Sequence, residues 1–243
     1  MNKDYLKNIY ALLQKLEDTQ EETIEQVAAA CAECIEKGGL LYFFGTGHSH
    51  MLCEEPFYRA GGLACVYPIL ETDLMLHEGA AKSSGYERLP GLGNLAVSHA
   101  GLGAGDVLFI ISNSGRNCAP IDAALEAKKR GAVTVAITSM DHTTKCSSRH
   151  SSGMNLYQIC DYVLDNGGEE GDASVQLPGL DQKIAPTSSV TGITLVHLIL
   201  VNTVELLLKK GITPPLFLSA NTDAGDKANK AVLAKYKARI PGL

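Results

Sequence analysis

Five short apolar runs, separated by helical segments, constrain what this chain can fold into. They occupy residues 40–45, 64–70, 106–112, 133–139 and 161–165. Near-continuous apolar runs of this length are typical of central strands in a parallel sheet. Helical patterns lie between them, notably over residues 119–130, where Gly131 marks the helix end. The alternation predicts βαβ units with right-handed crossovers, and hence an α/β fold, a three-layer αβα sandwich with a central parallel sheet.

Both ends of the chain are predicted to be helical. Apolar residues recur at helical spacing over residues 5–16 and again over 20–37, which predicts two helices before the first strand. Lysine mixed with Ala, Val and Leu over residues 223–239 predicts an amphipathic helix that covers the domain or a partner subunit. We therefore expect an N-terminal helical segment (1–38), one α/β domain (39–220) and a C-terminal helix (221–243), which suits a chain of 243 residues with 45% hydrophobic side chains.

Charge and hydropathy exclude several classes of protein. The formal net charge is −6 and the pI about 5.6, with no basic face, which argues against a nucleic-acid partner. Residues 1–10 have no apolar signal core, and the stretch ITLVHLILV is interrupted by His197 and is too short to span a bilayer. We expect a cytoplasmic protein with no membrane partner.

Cysteine and histidine spacing gives no sign of a metal site. The seven cysteines are scattered through predicted helices and strands, which favours reduced thiols over a disulfide framework. Cys31 and Cys34 form a CAEC pair, but no second pair stands at a zinc-like distance. We expect neither a metal nor a cofactor.

Three loops rich in small and hydroxyl residues follow predicted strands or open a helix. They are GTGHSH (45–50), SNSGRN (112–117) and PTSSVTG (186–192). Free amides and the helix dipole at such positions favour an anion, although serine and threonine there are also ordinary helix caps. GTGHSH also resembles the start of a dinucleotide fingerprint, so a nicotinamide or flavin site is an alternative, but His50 stands where the third glycine would be. We predict that the three loops form one anion site at the carboxyl ends of the strands.

The order of these motifs resembles the SIS, or sugar isomerase, domain over about residues 38–210. The motifs are GxGxS after the first strand, SxSG after a later strand and a TSS-type loop that opens the last long helix. Segments such as HEGAAKSSGYERLPGL and NTDAGDKANK are similar to a bacterial group of single-domain SIS proteins, related to phosphoheptose isomerase and N-acetylmuramic acid 6-phosphate etherase. The resemblance implies a flavodoxin-like or Rossmann-like fold that binds a phosphorylated sugar. It also implies a homodimer or homotetramer, since SIS domains usually build their pockets at subunit interfaces.

The resemblance also implies roles for particular residues. The serine-rich turn would hold the phosphate, with Gly115 permitting the turn; its binding residues are Ser112, Asn113, Ser114 and Asn117, where phosphoheptose isomerase has a hydroxyl residue at the last position. Gly47 and Ser49 would contribute from the first loop. Thr187, Ser188 and Ser189 would close the site. Arg116 either supplies positive charge or faces solvent.

Catalysis in an SIS enzyme usually needs a carboxylate, with or without a histidine, to move a proton beside a carbonyl. The candidates are Glu54, Glu55, His77 and Glu78. We expect a phosphosugar aldose-ketose isomerase acting through an enediol or enediolate; the alternatives are a phosphosugar etherase or lyase, and a phosphosugar sensor without turnover. Two further features receive structural interpretations: His197 as a core histidine, and the acidic segment DNGGEEGDA as a solvated loop near the pocket mouth.

Overall fold

A five-stranded parallel sheet forms the centre of the protein, whose computed structural model describes residues 3–219 and 223–243. The strands are β1 (Leu41–Gly45), β2 (Val66–Ile69), β3 (Val107–Ile111), β4 (Val133–Thr138) and β5 (Tyr162–Asp165). Each lies within one of the five apolar runs, as predicted. The strand order is β2-β1-β3-β4-β5, and every neighbouring pair is parallel. This is the flavodoxin-like order of doubly wound sheets.

Helices cover both faces of the sheet. They are α1 (Asp4–Glu36), α2 (His50–Glu54), α3 (Ala80–Tyr86), α4 (Leu92–His99), α5 (Cys118–Lys129), α6 (Met140–Thr143), α7 (Ser188–Lys209) and α8 (Asp223–Tyr236). One layer contains α1 and α7, which pack on each other, with α2 against α7; α4 and α5 pack together in the other. Two short antiparallel strands, β6 (Ala173–Val175) and β7 (Ile184–Pro186), form a separate sheet that the sequence pattern did not predict.

The N-terminal segment is one helix, which corrects the prediction of two. Helix α1 runs without a break from Asp4 to Glu36. The apparent gap in the apolar pattern falls near Gln20, which is buried, and its side-chain Oε1 accepts a hydrogen bond of 3.0 Å from the backbone N of Asp165. A polar residue therefore occupies the inward face of α1 because it has a partner there.

Aromatic residues pack between the central strands. Phe43 of β1 and Phe109 of β3 are register partners, and their rings stack with centroids 4.5 Å apart. All residues of β1 and β3 are buried, as expected of strands covered on both faces. The two strands that precede the first and second predicted loops therefore lie in the buried core.

Helix α7 packs into this core. Among the residues that the structure describes, it is the one helix long and apolar enough to cross a membrane. Its buried side chains include Leu195, Val196 and Ile199, and it packs along α1. Its opposite face carries exposed apolar side chains, among them Val201 and Leu208. The core helix of a globular protein meets the same criteria of length and composition.

The C-terminal helix covers its own domain. Tyr236 and Ile240 belong to the main hydrophobic core, and the Arg239 guanidinium donates a hydrogen bond of 2.6 Å to the carbonyl of Gly38. The predicted boundary between residues 220 and 221 lies outside the described residues.

Candidate functional site

Two of the predicted loops meet where the strand order reverses. From β1 the chain passes to β2 on one side, whereas β3 pairs with β1 on the other side. The 3-10 turn Gly47–Ser49 follows β1, and residues 112–117 follow β3. Ligands of open parallel sheets bind at this kind of crevice, beyond the carboxyl ends of the strands.

A cavity of about 130 Å³ lies at this point. Its lining residues come from all three predicted loops, from the end of β3, from α2 and from the segment after β5: His48, Ser49, Leu52, Ile111, Asn113, Asn166, Asp172, Ser188 and Ser189. Four of the predicted binding residues are therefore together here, namely Ser49, Asn113, Ser188 and Ser189. Asn166 and Asp172 were not predicted as binding residues, because the acidic segment that contains them was interpreted as a solvated loop near the pocket mouth.

The turn after β3 is tight and internally bonded. Gly115 has φ +59°, and a Cβ at this position would lie 2.9 Å from Thr143 Oγ1. Its backbone N donates to Ser112 Oγ at 3.2 Å, so the buried Ser112 hydroxyl closes the turn. Ser114 is half-buried. The Nε of Arg116 is buried without a hydrogen-bond partner in the part of the chain that the structure describes.

Asn113 presents a donor to the cavity. Its side-chain Oδ1 accepts a hydrogen bond of 2.8 Å from Asn166 Nδ2, and Asn166 Oδ1 accepts from the backbone N of Gly168 at 2.9 Å. Because the amide oxygen of Asn113 is engaged, its Nδ2 group is the part left to bind a ligand.

Asn117 is engaged by other side chains. Its Nδ2 donates to Glu87 Oε1 at 2.7 Å, and its Oδ1 accepts from Arg149 at 2.9 Å. The second carboxylate oxygen of Glu87 accepts from the Thr46 hydroxyl at 2.8 Å. Glu87 thus ties the loop after β1 to the loop after β3. Sequence reasoning missed it, since a single glutamate between two helices has no distinguishing pattern.

An internal carboxylate occupies the N-terminus of α7. Asp172 Oδ1 accepts from the backbone N of Thr187 at 3.0 Å and of Ser188 at 2.8 Å. Its Oδ2 accepts from the Ser188 hydroxyl at 2.5 Å. Two of the amides on which the third predicted loop relied, those of Thr187 and Ser188, are therefore already bound to an anion.

The four catalytic candidates lie in different surroundings. Glu54 is exposed, and so are His77 and Glu78, whose Nε2 and Oε1 atoms are 4.0 Å apart. Gly47 lies beside Leu76, which places the first loop next to this pair. Glu55 contacts Arg59 and His197, with 3.0 Å between Glu55 Oε1 and His197 Nε2. His197 and Arg59 line a groove of about 350 Å³.

His197 is not a core histidine. Its side chain is 44% exposed and is paired with a carboxylate; of its two neighbours in the sequence, Val196 is buried and Leu198 is exposed. The buried histidine is instead His50, which is 3% exposed and has no hydrogen-bond partner for either ring nitrogen among the described residues. Burial lowers the pKa of His50 to about 4, and the nearby His77 adds to this effect.

The cysteines are free thiols. Burial raises the pKa of Cys34 and of Cys65 to about 12, so both are protonated at neutral pH. Within residues 3–219 and 223–243, the His, Cys, Asp and Glu side chains form no group of three or more that could hold a metal ion.

Comparison with known proteins gives concordant matches. The model of the SIS domain matches residues 4–139. UPF0309 protein GK1441 of Geobacillus kaustophilus is 42% identical over 243 residues, which cover 100% of this chain and 97% of that protein. UPF0309 protein Teth39_1980 of Thermoanaerobacter pseudethanolicus is 43% identical over 244 residues, with 99% of each chain covered.

A solved structure shares the fold. Phosphoheptose isomerase GmhA from Neisseria gonorrhoeae superposes with a TM-score of 0.57 at 17% identity, covering 82% of this chain and 95% of that one. The chain has the parallel sheet, the helices on both faces and the sequence match, and it therefore belongs to the SIS domain family.

Proposed function

We propose that this protein binds a phosphorylated sugar at the switch-point cavity and isomerises it between aldose and ketose forms. One observation carries the proposal: the loops after β1 and β3 and the start of α7 converge on one cavity, and seven of its nine lining residues are polar. Membership of the SIS family and the shared fold with a phosphoheptose isomerase agree with this class of ligand.

The phosphate binds on the side of the cavity formed by the loops after β1 and β3. Ser49 and Asn113 line it there, and both can donate hydrogen bonds. Ser114 and Arg116 belong to the same turn but do not line the cavity, and the Gly115 amide is bonded to Ser112; the positive charge of Arg116 adds to the attraction for an anion. Asp172 holds the α7 side of the same cavity, and its negative charge would repel a phosphate placed there.

The dimensions favour an extended ligand. A cavity of about 130 Å³ is smaller than the roughly 300–1,000 Å³ of most small-molecule pockets, so it encloses one end of the ligand only. His197 follows Ser189 by about two turns of α7, which is roughly 12 Å along the helix axis. A sugar phosphate held at its phosphate would extend from the cavity toward Glu55 and His197.

Glu55 and His197 are the acid and base of this proposal. One of them removes a proton from the carbon beside the carbonyl, which gives an enediolate, and the proton returns to the neighbouring carbon. A second proton moves between the two oxygens, so the composition of the sugar is unchanged. A carboxylate and an imidazole are the side chains most often used to accept and return a proton in this type of step, and here they are in hydrogen-bond contact.

Ligand binding tests the phosphate site. We expect one or more of glucose 6-phosphate, fructose 6-phosphate, glucosamine 6-phosphate and sedoheptulose 7-phosphate to raise the melting temperature, because a ligand of the native state stabilises it. The Ser49→Ala variant should lose the shift. Ser151→Ala, an exposed serine outside the cavity, is the matched control and should keep it. If none of these compounds changes the melting temperature, the proposed ligand class is wrong.

Turnover tests the reaction. With the sugar that binds, Glu55→Gln and His197→Asn should each lower kcat by about 10²-fold or more, the usual contribution of general acid–base catalysis. Binding without interconversion in the wild type would instead favour a sensor. Elimination from an ether of the sugar would favour the etherase reaction.

The homodimer or homotetramer implied by the resemblance forms part of this proposal. Val201, which lines the groove of Arg59 and His197, and Leu208, further along α7, are exposed apolar side chains. A partner subunit would bury them in this proposal.

A further inference from the structure

Asp172 is a carboxylate at the wall of a cavity that we assign to an anionic ligand, and its negative charge repels a phosphate. Both oxygens take part in hydrogen bonds, but unequally. Oδ1 accepts from the backbone N of Thr187, the backbone N of Ser188 and the Thr187 hydroxyl, the last at 3.4 Å. Oδ2 accepts one hydrogen bond, from the Ser188 hydroxyl. A carboxylate oxygen has room for a second donor, so Oδ2 can accept another hydrogen bond.

Asp172 is held in place by its surroundings. Its backbone N donates to the carbonyl of Glu169 at 2.9 Å, and its carbonyl accepts from the backbone N of Thr187 at 3.3 Å. The adjoining β6–β7 sheet is tied to α1, where Asn8 donates to the carbonyl of Ser174 at 2.8 Å. These contacts hold the backbone of Asp172, while the hydrogen bonds from Thr187 and Ser188 hold its carboxylate at the wall of the cavity.

The backbone of Asp172 is strained. Its φ is +68°, in the left-handed region that residues other than glycine rarely adopt. Aspartate and asparagine tolerate this region better than most residues, and strain of this kind is often found at ligand sites. An asparagine at this position is therefore expected to keep the local fold.

The cavity thus has two chemically distinct sides. Ser49 and Asn113, from the loops after β1 and β3, offer donors, and Asp172, which is bound to the start of α7, offers an acceptor. We infer that Asp172 determines sugar specificity by accepting a hydrogen bond from a hydroxyl or ammonium group of the sugar, while the phosphate binds at the opposite side. This inference rests on the proposed function, and it names the group of the ligand that the α7 side recognises.

Comparing two ligands in one variant separates this role from others. In Asp172→Asn, affinity for the phosphosugar found in the thermal panel should fall by about tenfold to a hundredfold, because a hydrogen bond to a charged acceptor is lost. Affinity for inorganic phosphate should stay equal or increase, since a nearby negative charge is removed. Titration calorimetry measures both. Glu169→Gln, an exposed acid in the same segment, is the control for a general charge effect and should change neither affinity.

Each outcome decides between alternatives. Equal or tighter phosphosugar binding in Asp172→Asn would overturn the inference, because the carboxylate would then block the site. An equal loss for phosphosugar and inorganic phosphate would also overturn it, because Asp172 would then act only through the fold. If the wild type binds no phosphosugar, the proposed function fails first and the inference fails with it.

A second measurement changes the ligand as well as the protein. Monodeoxy analogues of the bound phosphosugar are titrated against the wild type, and removal of one particular hydroxyl or amino group should weaken binding by about tenfold or more. In Asp172→Asn the same analogue should bind as well as the parent sugar, which would assign the lost contact to this carboxylate. A series in which every analogue binds the wild type like the parent would overturn the inference.

Discussion

Two carboxylates link the loops that surround the cavity. Glu87 ties the loop after β1 to the loop after β3, and Asp172 binds the start of α7. Glu87 accepts from the Asn117 side-chain amide and the Thr46 hydroxyl, and Asp172 accepts from backbone amides and hydroxyl groups. Asn117, predicted to contact phosphate, is bonded to Glu87 and Arg149, so its side chain supports the site from outside the cavity.

His50 makes stability depend on pH. Its pKa of about 4 lies below the ordinary value of 6.5, because burial disfavours the charged ring. Below pH 6.5 the unfolded chain binds a proton that the native state does not bind until about pH 4. The contribution of His50 to the free energy of unfolding is therefore complete above pH 6.5 and is lost as the pH falls toward 4. At pH 4.5 the loss is about 2–3 kcal/mol.

Urea unfolding of wild type and His50→Leu at pH 7 and pH 4.5 measures this contribution. The variant has no ring to protonate. Between pH 7 and pH 4.5 its free energy of unfolding should therefore fall less than that of the wild type, and the difference between the two decreases should be about 2–3 kcal/mol. Carboxylates that titrate in this range are common to both proteins. An identical pH dependence in the two proteins would show that His50 is protonated as easily in the native state as in the unfolded chain.

At the scale of elements, the packing of α4 on α5 depends on one glycine. A Cβ at Gly93 would lie 1.9 Å from the carbonyl oxygen of Ala119 and 2.7 Å from the backbone N of Ala123. These are backbone atoms of α5, so the helices would have to separate. The close approach places α5, and with it the turn that precedes its first residue, against the sheet.

Gly93→Ala should therefore destabilise the protein by about 2 kcal/mol or more, despite the better helix propensity of alanine. Gly85→Ala is the matched control, because Gly85 lies in helix α3 and has open space around its Cβ position. That variant should be neutral or up to about 1 kcal/mol more stable. Equal effects of the two substitutions on the free energy of unfolding would contradict the packing argument.

At the scale of the whole molecule, the C-terminal residues complete the core. Ile240 is fully buried and packs in the same cluster as the strands. Ile240→Ala removes buried methyl groups and should lower the free energy of unfolding by about 2–4 kcal/mol. The measurement is chemical denaturation.

Leu95→Ala is the control for that experiment, because Leu95 is 53% exposed on α4. It should change the free energy of unfolding by no more than about 0.5 kcal/mol. If Ile240→Ala were equally mild, the C-terminal residues would be an appendage and not part of the domain.

The sequence determined the strands, the α/β class and the position of the loops after β1 and β3. Apolar runs and glycine positions are local properties, and they fix where a strand or helix begins and ends. They also placed Ser49 and Asn113 at the edge where the cavity lies. Even the error in α1 was local, because a buried polar residue resembles a break in the pattern.

The tertiary structure alone decided which side chains meet. Glu55 and His197 are 142 residues apart in the sequence, Glu87 and Thr46 are 41 apart, and neither pair has a spacing that a motif could reveal. In the sequence Asp172 is one acid of a segment interpreted as solvated, whereas in the fold the pairing of β6 with β7 places it at the start of α7. Contacts of this kind depend on how distant elements pack, and periodicity carries no information about them.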